Sequence, residues 1–448
     1  MKVTQYVTAE NVDFRQYECC PIPNLMAGAT VIDVEKTPVT EDFMGFGVSL
    51  TASSCYELNT MSPKVRRAFL EDVYTEKGLG LSLARLTVGS SDYSPELYSY
   101  DDVDGDVELR HFSIDRDREY VIPMIKEALA VKPDLYFYSS PWTPPAWMKT
   151  GNSLCGGYMR SAFVECYAEY YIRYLEEYEK EGINVRAVTP QNEAETHQDG
   201  RMPACAWHPE IEAEFILCLK KKLKERGRDV AVWMLDHNFV YYRRVLWMLE
   251  NYPALLDECD GVAWHYYSGT FEMTDEVRSA FPKMEFYFSE GGPRLYDNYE
   301  TDYTKWATVM IEVMQHGYRS FCGWNLMLDE TGGPNIGPFF CGGLVTRNSV
   351  TGELSYSGQY RALRHVSKFI RTGAEIYRCR VVGQGTSYAS YPKQSIPVYA
   401  VMAKNRDGSR VMVLTNGHSE KRQVQCEIDG EKYYFELLPK SVSTVVIE

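Results

Sequence analysis

Short runs of consecutive apolar residues alternate, through most of the chain, with longer stretches whose apolar positions recur at helical spacing. The short runs read as eight strands: Phe43 to Ser49, Leu81 to Val88, Leu135 to Ser139, Val185 to Thr189, Val230 to Asp236, Gly261 to Tyr267, Met284 to Ser289 and Ser320 to Leu326. Apolar runs of this kind suit strands buried on both faces. The clearest helix runs from Ser161 to Lys180, where Val164, Tyr167, Ala168, Tyr171, Ile172, Leu175 and Tyr178 share a face and Gly182 follows as a stop. Eight strand and helix units in series predict a closed (β/α)8 TIM barrel. A doubly wound open sheet ranks behind it, since no Gly-x-Gly-x-x-Gly turn follows the first strand.

The two ends of the chain follow another pattern. After about Ile376, the segments Val398 to Ala403, Val411 to Thr415, Gln423 to Ile428, Tyr433 to Leu437 and Val442 to Ile447 read as short strands, several alternating in period two. Turn signals such as Asn416-Gly417 and Asp429-Gly430 separate them. Residues 1–40 are extended pieces with prolines and no helix pattern, so they are expected to add strands to the same antiparallel β side domain. The predicted division is therefore 1–40 with the side domain, 41–373 as the barrel and 374–448 as the rest of the side domain.

Composition excludes several classes. An apolar fraction of 45% supplies a full core, while a net charge of −15 repels nucleic acid and anionic membrane surfaces. No stretch is apolar enough to insert in a membrane, and Met1-Lys2-Val3-Thr4-Gln5 lacks a leader's apolar region, so a cytoplasmic location is expected. Twelve cysteines are scattered and read as reduced thiols; eight histidines are equally dispersed, without metal-ligand spacing. No metal and no cofactor are expected. The sequence leaves oligomeric state open.

Candidate chemistry sits at two strand ends. Glu193 closes Val185-Arg186-Ala187-Val188-Thr189-Pro190-Gln191-Asn192-Glu193, and Glu290 closes Met284-Glu285-Phe286-Tyr287-Phe288-Ser289-Glu290. Barrel enzymes keep their chemistry at the C-terminal ends of strands, and two carboxyls there suit acetal hydrolysis, one as acid and one ionised. Glu195 and Glu285 compete, although the odd spacing of Glu285 from Glu290 puts it on the opposite strand face. Trp142 and Trp147 follow the third strand and Trp324 ends the eighth; indole faces pack on pyranose C–H faces, and Arg85, Asp92, Asn192 and Asn325 offer polar partners for hydroxyls. Asp236, His237 and His265 also lie near strand ends, as orienting groups or as satisfied buried residues.

These segments, taken in order, resemble glycoside hydrolase family 30, the glucosylceramidase-like group. The resemblance rests on Gly45-Phe46-Gly47, Arg85 to Ser94, Ser140-Pro141-Trp142-Thr143-Pro144-Pro145-Ala146-Trp147-Met148-Lys149, Thr189 to Glu193, His265-Tyr266-Tyr267, Ser289-Glu290 and Trp324-Asn325-Leu326. It implies a retaining β-glycosidase with Glu193 as general acid/base, Glu290 as nucleophile and Asn192 at the sugar 2-hydroxyl. Arg85 and Tyr267 would hold the nucleophile; Asp92, Trp142, His265 and Trp324 complete the substrate-binding set. Retention calls for carboxyls about 5–5.5 Å apart, and burial beside a negative neighbour is expected to raise the acid's pKa.

Two departures bear on the substrate. Thr51-Ala52 stands where many members have Thr-Asp, and Phe339 follows Gly332-Gly333-Pro334-Asn335 where glucose-specific relatives supply an amide to the C6 hydroxyl. A β-glucosidase or glucosylceramidase-like activity is the first expectation, with a β-xylosidase, β-fucosidase or other β-glycosidase as alternatives. A non-catalytic carbohydrate-binding protein is the reading from another class; it needs aromatics and hydrogen-bonding groups but not a carboxylate pair.

Overall fold

The structure is a computed structural model that describes residues 2–26, 28–382 and 398–448. Eight parallel strands close into a barrel in chain order. They are β1 (Gly45–Ser49), β2 (Leu83–Thr87), β3 (Tyr136–Ser140), β4 (Val185–Val188), β5 (Ala231–Asn238), β6 (Gly261–His265), β7 (Phe286–Glu290) and β8 (Ser320–Gly323). Each falls on one of the eight predicted runs. Most of their residues are buried, as expected of strands enclosed by helices outside and side chains inside. Leu83, Tyr138, Trp233, Tyr287 and Cys322 fill the barrel interior, with Trp233 and Tyr287 stacked at 3.8 Å. That packed plug leaves polar side chains only the layer above it, at the C-terminal mouth.

A helix follows each strand. The helix after β3, Val164–Lys180, carries Glu165 in its first turn and Lys180 in its last, both favourable to its dipole. Gly182, at φ +80°, lets the chain reverse after it, a conformation that costs any residue with a Cβ. The buried face of this helix is tyrosine-rich, and its hydroxyls all find partners except that of Tyr167. Tyr171 donates to the carbonyls of Thr189 and Pro190 at 2.8 and 2.9 Å, fixing the segment that leads from β4 to Glu193. The periodicity that predicts the helix thus also supplies an anchor for the loop.

Ten strands form the side sheet, four from residues 3–43 and six from residues 374–447. Val3–Ala9 lies between Val12–Cys19 and Ser441–Ile447, so the two ends of the chain pair directly. One pairing departs from the antiparallel expectation: Arg422–Ile428 runs parallel to Thr30–Val34. This is possible because the partners come from opposite ends of the chain and need no tight turn between them. The helices Tyr303–Gln315 and Gly358–Val366 join sheet to barrel. Gln315 bonds the backbone of Cys379 and Ala400, and the buried His365 reaches Thr8 and Thr444.

A three-stranded sheet after β8, Met327–Asp329, Val345–Arg347 and Leu354–Tyr356, is too short and too mixed in polarity to stand out in the sequence. It frames the loop that carries Phe339 to the barrel mouth. Tyr93 secures that loop, donating to the Phe339 carbonyl at 3.1 Å and accepting from the Cys341 amide at 2.9 Å. Among the described residues no helix is long and apolar enough to cross a membrane.

Candidate active site

Arg85, near the end of β2, organises the mouth of the barrel. Its guanidinium is fully buried and donates to Glu290, to Asp236 at 2.7 Å, to Asn192 at 2.8 Å and to the Ser140 hydroxyl at 3.1 Å. Its Cζ lies 4.8 Å from the Trp142 ring and 5.5 Å from that of Trp324. The two indoles stack on each other at 5.0 Å. One cation therefore sets the position of four predicted site residues from β3, β4, β7 and β8.

Asp236 is the counter-charge beneath them, and it is the residue the sequence undervalues. Oδ2 accepts from Arg85, Ser140 and Thr189, and Oδ1 from Ser289 at 2.7 Å and His265 Nε2 at 3.0 Å. Burial alone would raise its pKa, but Arg85, His265 and these hydrogen bonds hold it far below the usual carboxylate range. Its backbone is left-handed, φ +50°, as is that of Leu235 at +71°, and the β5 to β6 register shifts at Asp236, between the pairs Leu235 with Ala263 and His237 with Trp264. A strained bulge at the end of a barrel strand re-aims side chains, here Asp236 and His237.

Glu193 lies beyond β4 with φ +56°, its amide bonded to the Asp236 carbonyl at 3.0 Å. Its Oε2 accepts from Gln198 at 2.8 Å, and its Oε1 lies 3.3 Å from His265 Nδ1 and 3.6 Å from His237 Nδ1. The other nitrogen of His265 is 3.7 Å from Glu290. A single imidazole thus touches both glutamates. Burial pulls His265 down, yet Glu290, Asp236 and Glu193 raise it to about 9, so its ring is an imidazolium. His237, by contrast, is lowered by burial to about 4 and is neutral.

The charge on Glu193 reverses the expected direction. Burial raises its pKa, but charge from His237 when that ring is protonated, and the charge and hydrogen bond of His265, outweigh burial and bring it below the ordinary value. The sequence reading counts the negative neighbour and misses the imidazolium between the two carboxylates. Glu193 and His265 therefore share one proton, which in the unliganded site rests on the histidine.

Around the pair lies a cavity of about 270 Å³ walled by Trp142, Trp324, Phe339 and Met202. Several buried polar atoms of its neighbourhood have no partner: Asp92 Oδ1, the Tyr267 hydroxyl and the Asn325 amide nitrogen. Asp92 is raised well above its ordinary value by burial and by the charges of Glu290 and Glu193. Tyr267 lines the pocket beside Glu290, and burial together with the Glu290 charge raises its hydroxyl well above the ordinary value. Asn192 spends its oxygen on Arg85 and keeps its amide N–H groups. Two larger clefts, of about 640 and 660 Å³, lie on the side sheet, away from the barrel mouth.

Other candidates are accounted for elsewhere. Trp147 is a packing residue against Phe163, its indole bonded to the Asp101 carbonyl at 3.1 Å. Glu195 pairs with Arg244 at 2.7 Å, and Glu285 pairs with Arg319 at the opposite end of its strand. Thr51, which the family pattern shares, caps the helix Ala52–Thr60 and donates to Asn325 at 2.9 Å, while the departure itself, Ala52, is the buried first residue of that helix. Gln198 is absent from the sequence reading, and Asp236 stands there only as an orienting or satisfied buried group. Asp236 carries a signal, a carboxylate ending an otherwise apolar run; Gln198, on an irregular loop, carries none.

The description "Glycosyl hydrolase family 30 TIM-barrel domain" matches residues 43–370. The chain belongs to glycoside hydrolase family 30. It is a glycoside hydrolase with the barrel and side sheet of that family. Two curated relatives each align with 93% of it. One is "Putative glucosylceramidase 3" of Caenorhabditis elegans, 27% identical over 81% of its own length; the other is "Endo-1,6-beta-D-glucanase" of Neurospora crassa, 28% identical over 88%. Among solved structures, SrfJ from Salmonella typhimurium superposes with a TM-score of 0.91 at 25% identity over all of both chains. The endo-beta1,6-glucanase BT3312 does so at 0.86 and 25%, over 99% of both.

Proposed function

We propose that this family 30 enzyme hydrolyses β-glucosides with retention, through a glycosyl ester on Glu290. The observation that carries this reading is the single buried imidazole in contact with both glutamates at the bottom of an aromatic-walled pocket of one-sugar size. Such closeness suits double displacement, in which no water needs to fit between carboxyl and sugar in the first step. Arg85 aims Glu290 at the anomeric carbon. The proton for the leaving oxygen comes from the Glu193–His265 pair: as substrate covers the site, it passes from Nδ1 to Glu193 and on to the departing group. In the second step Glu193 takes a proton from water and His265 again shares it.

Glucose is favoured because a gluco-configured ring matches what the pocket offers. The stacked tryptophans suit its apolar face, and Asn192, Asp92 and Tyr267 meet its equatorial hydroxyls. The glucanase and glucosylceramidase names of the relatives support the same sugar. Phe339 in the pocket wall argues for a C6 group held without an amide. The test is proton NMR of the first-formed product from an aryl β-glucoside, a β-1,6-linked glucan oligosaccharide and detergent-dispersed glucosylceramide. The β-anomer appearing first from at least one substrate is the expected result. First appearance of the α-anomer overturns retention, and turnover of aryl β-xyloside or β-fucoside in preference to all three overturns the sugar.

A further inference from the structure

We propose that Glu193, His237 and His265 together form a site for a divalent transition-metal ion of the zinc or copper class, and that its binding switches hydrolysis off. Donor atoms from the three residues all lie within 4.8 Å of one another. Tetrahedral zinc with bonds of about 2.0–2.1 Å holds neighbouring donors about 3.4 Å apart. The observed separations from Glu193 Oε1, 3.3 Å to His265 Nδ1 and 3.6 Å to His237 Nδ1, bracket that value. One carboxylate and two imidazoles, with the fourth position turned to an open pocket, form a donor set that zinc accepts. The sequence hides it because the residues come from three successive strand ends, 28 and 44 positions apart, with none of the short spacings of a zinc motif.

The surroundings of the two rings fit the assignment. His265 Nε2 faces the Asp236 carboxylate at 3.0 Å, the arrangement by which a second carboxylate orients a ligating imidazole and leaves the other nitrogen towards the ion. Asp236 is itself locked by Arg85 and three hydroxyls, so the ring is held before any ion arrives. On His237 the Asn238 amide nitrogen lies 3.3 Å from Nδ1, which marks that nitrogen as the acceptor, and an ion there takes over the lone pair that now accepts from Asn238. An ion between Glu193 Oε1 and the two imidazoles sits where the acid's proton would be carried, and any proton on a ligating nitrogen leaves to solvent. Glu193, bound to the ion, then has no proton to give a leaving group. The inhibitory half of this inference rests on Glu193 being the acid/base; the binding half does not.

Calorimetric titration of the whole protein with zinc chloride tests it, beside His237→Gln and Glu193→Gln, with the melting temperature of each variant taken to show that it is folded. Wild type is expected to bind one ion, each variant to bind at least about 10-fold more weakly. Hydrolysis of an aryl β-glucoside by wild type should fall in step with occupancy and return on adding EDTA. A measurement free of variants is the visible spectrum of wild type with cobalt chloride, where a four- or five-coordinate absorption that zinc abolishes is expected. Equal zinc affinity in wild type and both variants, as from exposed Cys20 or surface carboxylates, overturns the site, as does absence of one-to-one binding. Residue-dependent binding without loss of hydrolysis overturns the inhibition and the role of Glu193 with it. If wild type hydrolyses no glycoside, the proposed function fails while the binding comparison still decides the site.

Discussion

Replacing Asp236 by asparagine keeps the shape of the residue and removes the charge on which the site is built. Five donors converge on its two oxygens, and an amide has one oxygen to offer them. With that oxygen turned to Arg85, Ser140 and Thr189, the NH2 faces Ser289, whose hydroxyl can rotate, and His265, which can accept only by giving up its Nε2 proton. Arg85 keeps Glu290 but loses one of its two buried counter-charges, a change whose cost approaches the ~3–5 kcal/mol of breaking a buried pair. Unfolding entropy of about 2.1 cal/mol/K per residue, over 448 residues, is about 0.9 kcal/mol/K, so the melting temperature of Asp236→Asn should drop by about 3–5 °C. The pH dependence supplies a second readout. His265 has a folded pKa of about 9 against 6.5 for an ordinary histidine, so the stability it contributes is complete below pH 6.5 and is lost as pH rises through 9. In the variant that loss should shrink, because one of the charges raising His265 is gone. Scanning calorimetry between pH 6 and about 9.5 reads both effects. A variant that melts within 1 °C of wild type, with the same pH slope, would refute the claim that Asp236 anchors Arg85 and His265.

Three other outcomes follow from the same geometry. Glu193→Gln should lower kcat/KM for a glycoside with a poor leaving group by about 10²–10⁴-fold and spare kcat/KM for a dinitrophenyl glycoside, whose kcat falls because the second step loses its base, whereas Glu195→Gln, which removes an ion pair with Arg244, should stay within a few-fold on both; equal losses in kcat/KM would reverse the assignment. Trp324→Ala should lower kcat/KM for a β-glucoside at least 10-fold by removing one indole of the stacked wall, a loss of about 1.4 kcal/mol in transition-state binding. Trp147→Phe, changed where the side chain packs on Phe163, should leave kcat/KM within two-fold while lowering the melting temperature.

The barrel was legible because its strands are apolar on both faces and its helices keep a 3.6-residue period, signals that survive without knowledge of contacts. The candidate carboxylates were legible for the same reason: an acidic residue that closes a strand-like run, as Glu193 and Glu290 do, stands out against it. What those carboxylates feel was not legible. The shift of Glu193 depends on His265, 72 residues away, and on a bulge at Leu235 and Asp236 that no propensity announces. Trp147 illustrates the converse: its motif places it five residues from Trp142, but the turn between them sends one indole to the pocket and the other to a helix. The parallel pair of Arg422–Ile428 with Thr30–Val34 was equally hidden, since alternation tells which face of a strand is buried and not which strand lies beside it.

The central claim is that Glu290 attacks the anomeric carbon. Incubating the protein with an activated 2-deoxy-2-fluoro β-glucoside, measuring intact mass and mapping the adduct by peptide digestion tests it most directly. The account predicts a single deoxyfluoroglucosyl group on the peptide carrying Glu290, absent in Glu290→Gln. An adduct on Glu193, or none at all while the enzyme turns over the matching glucoside, would contradict it.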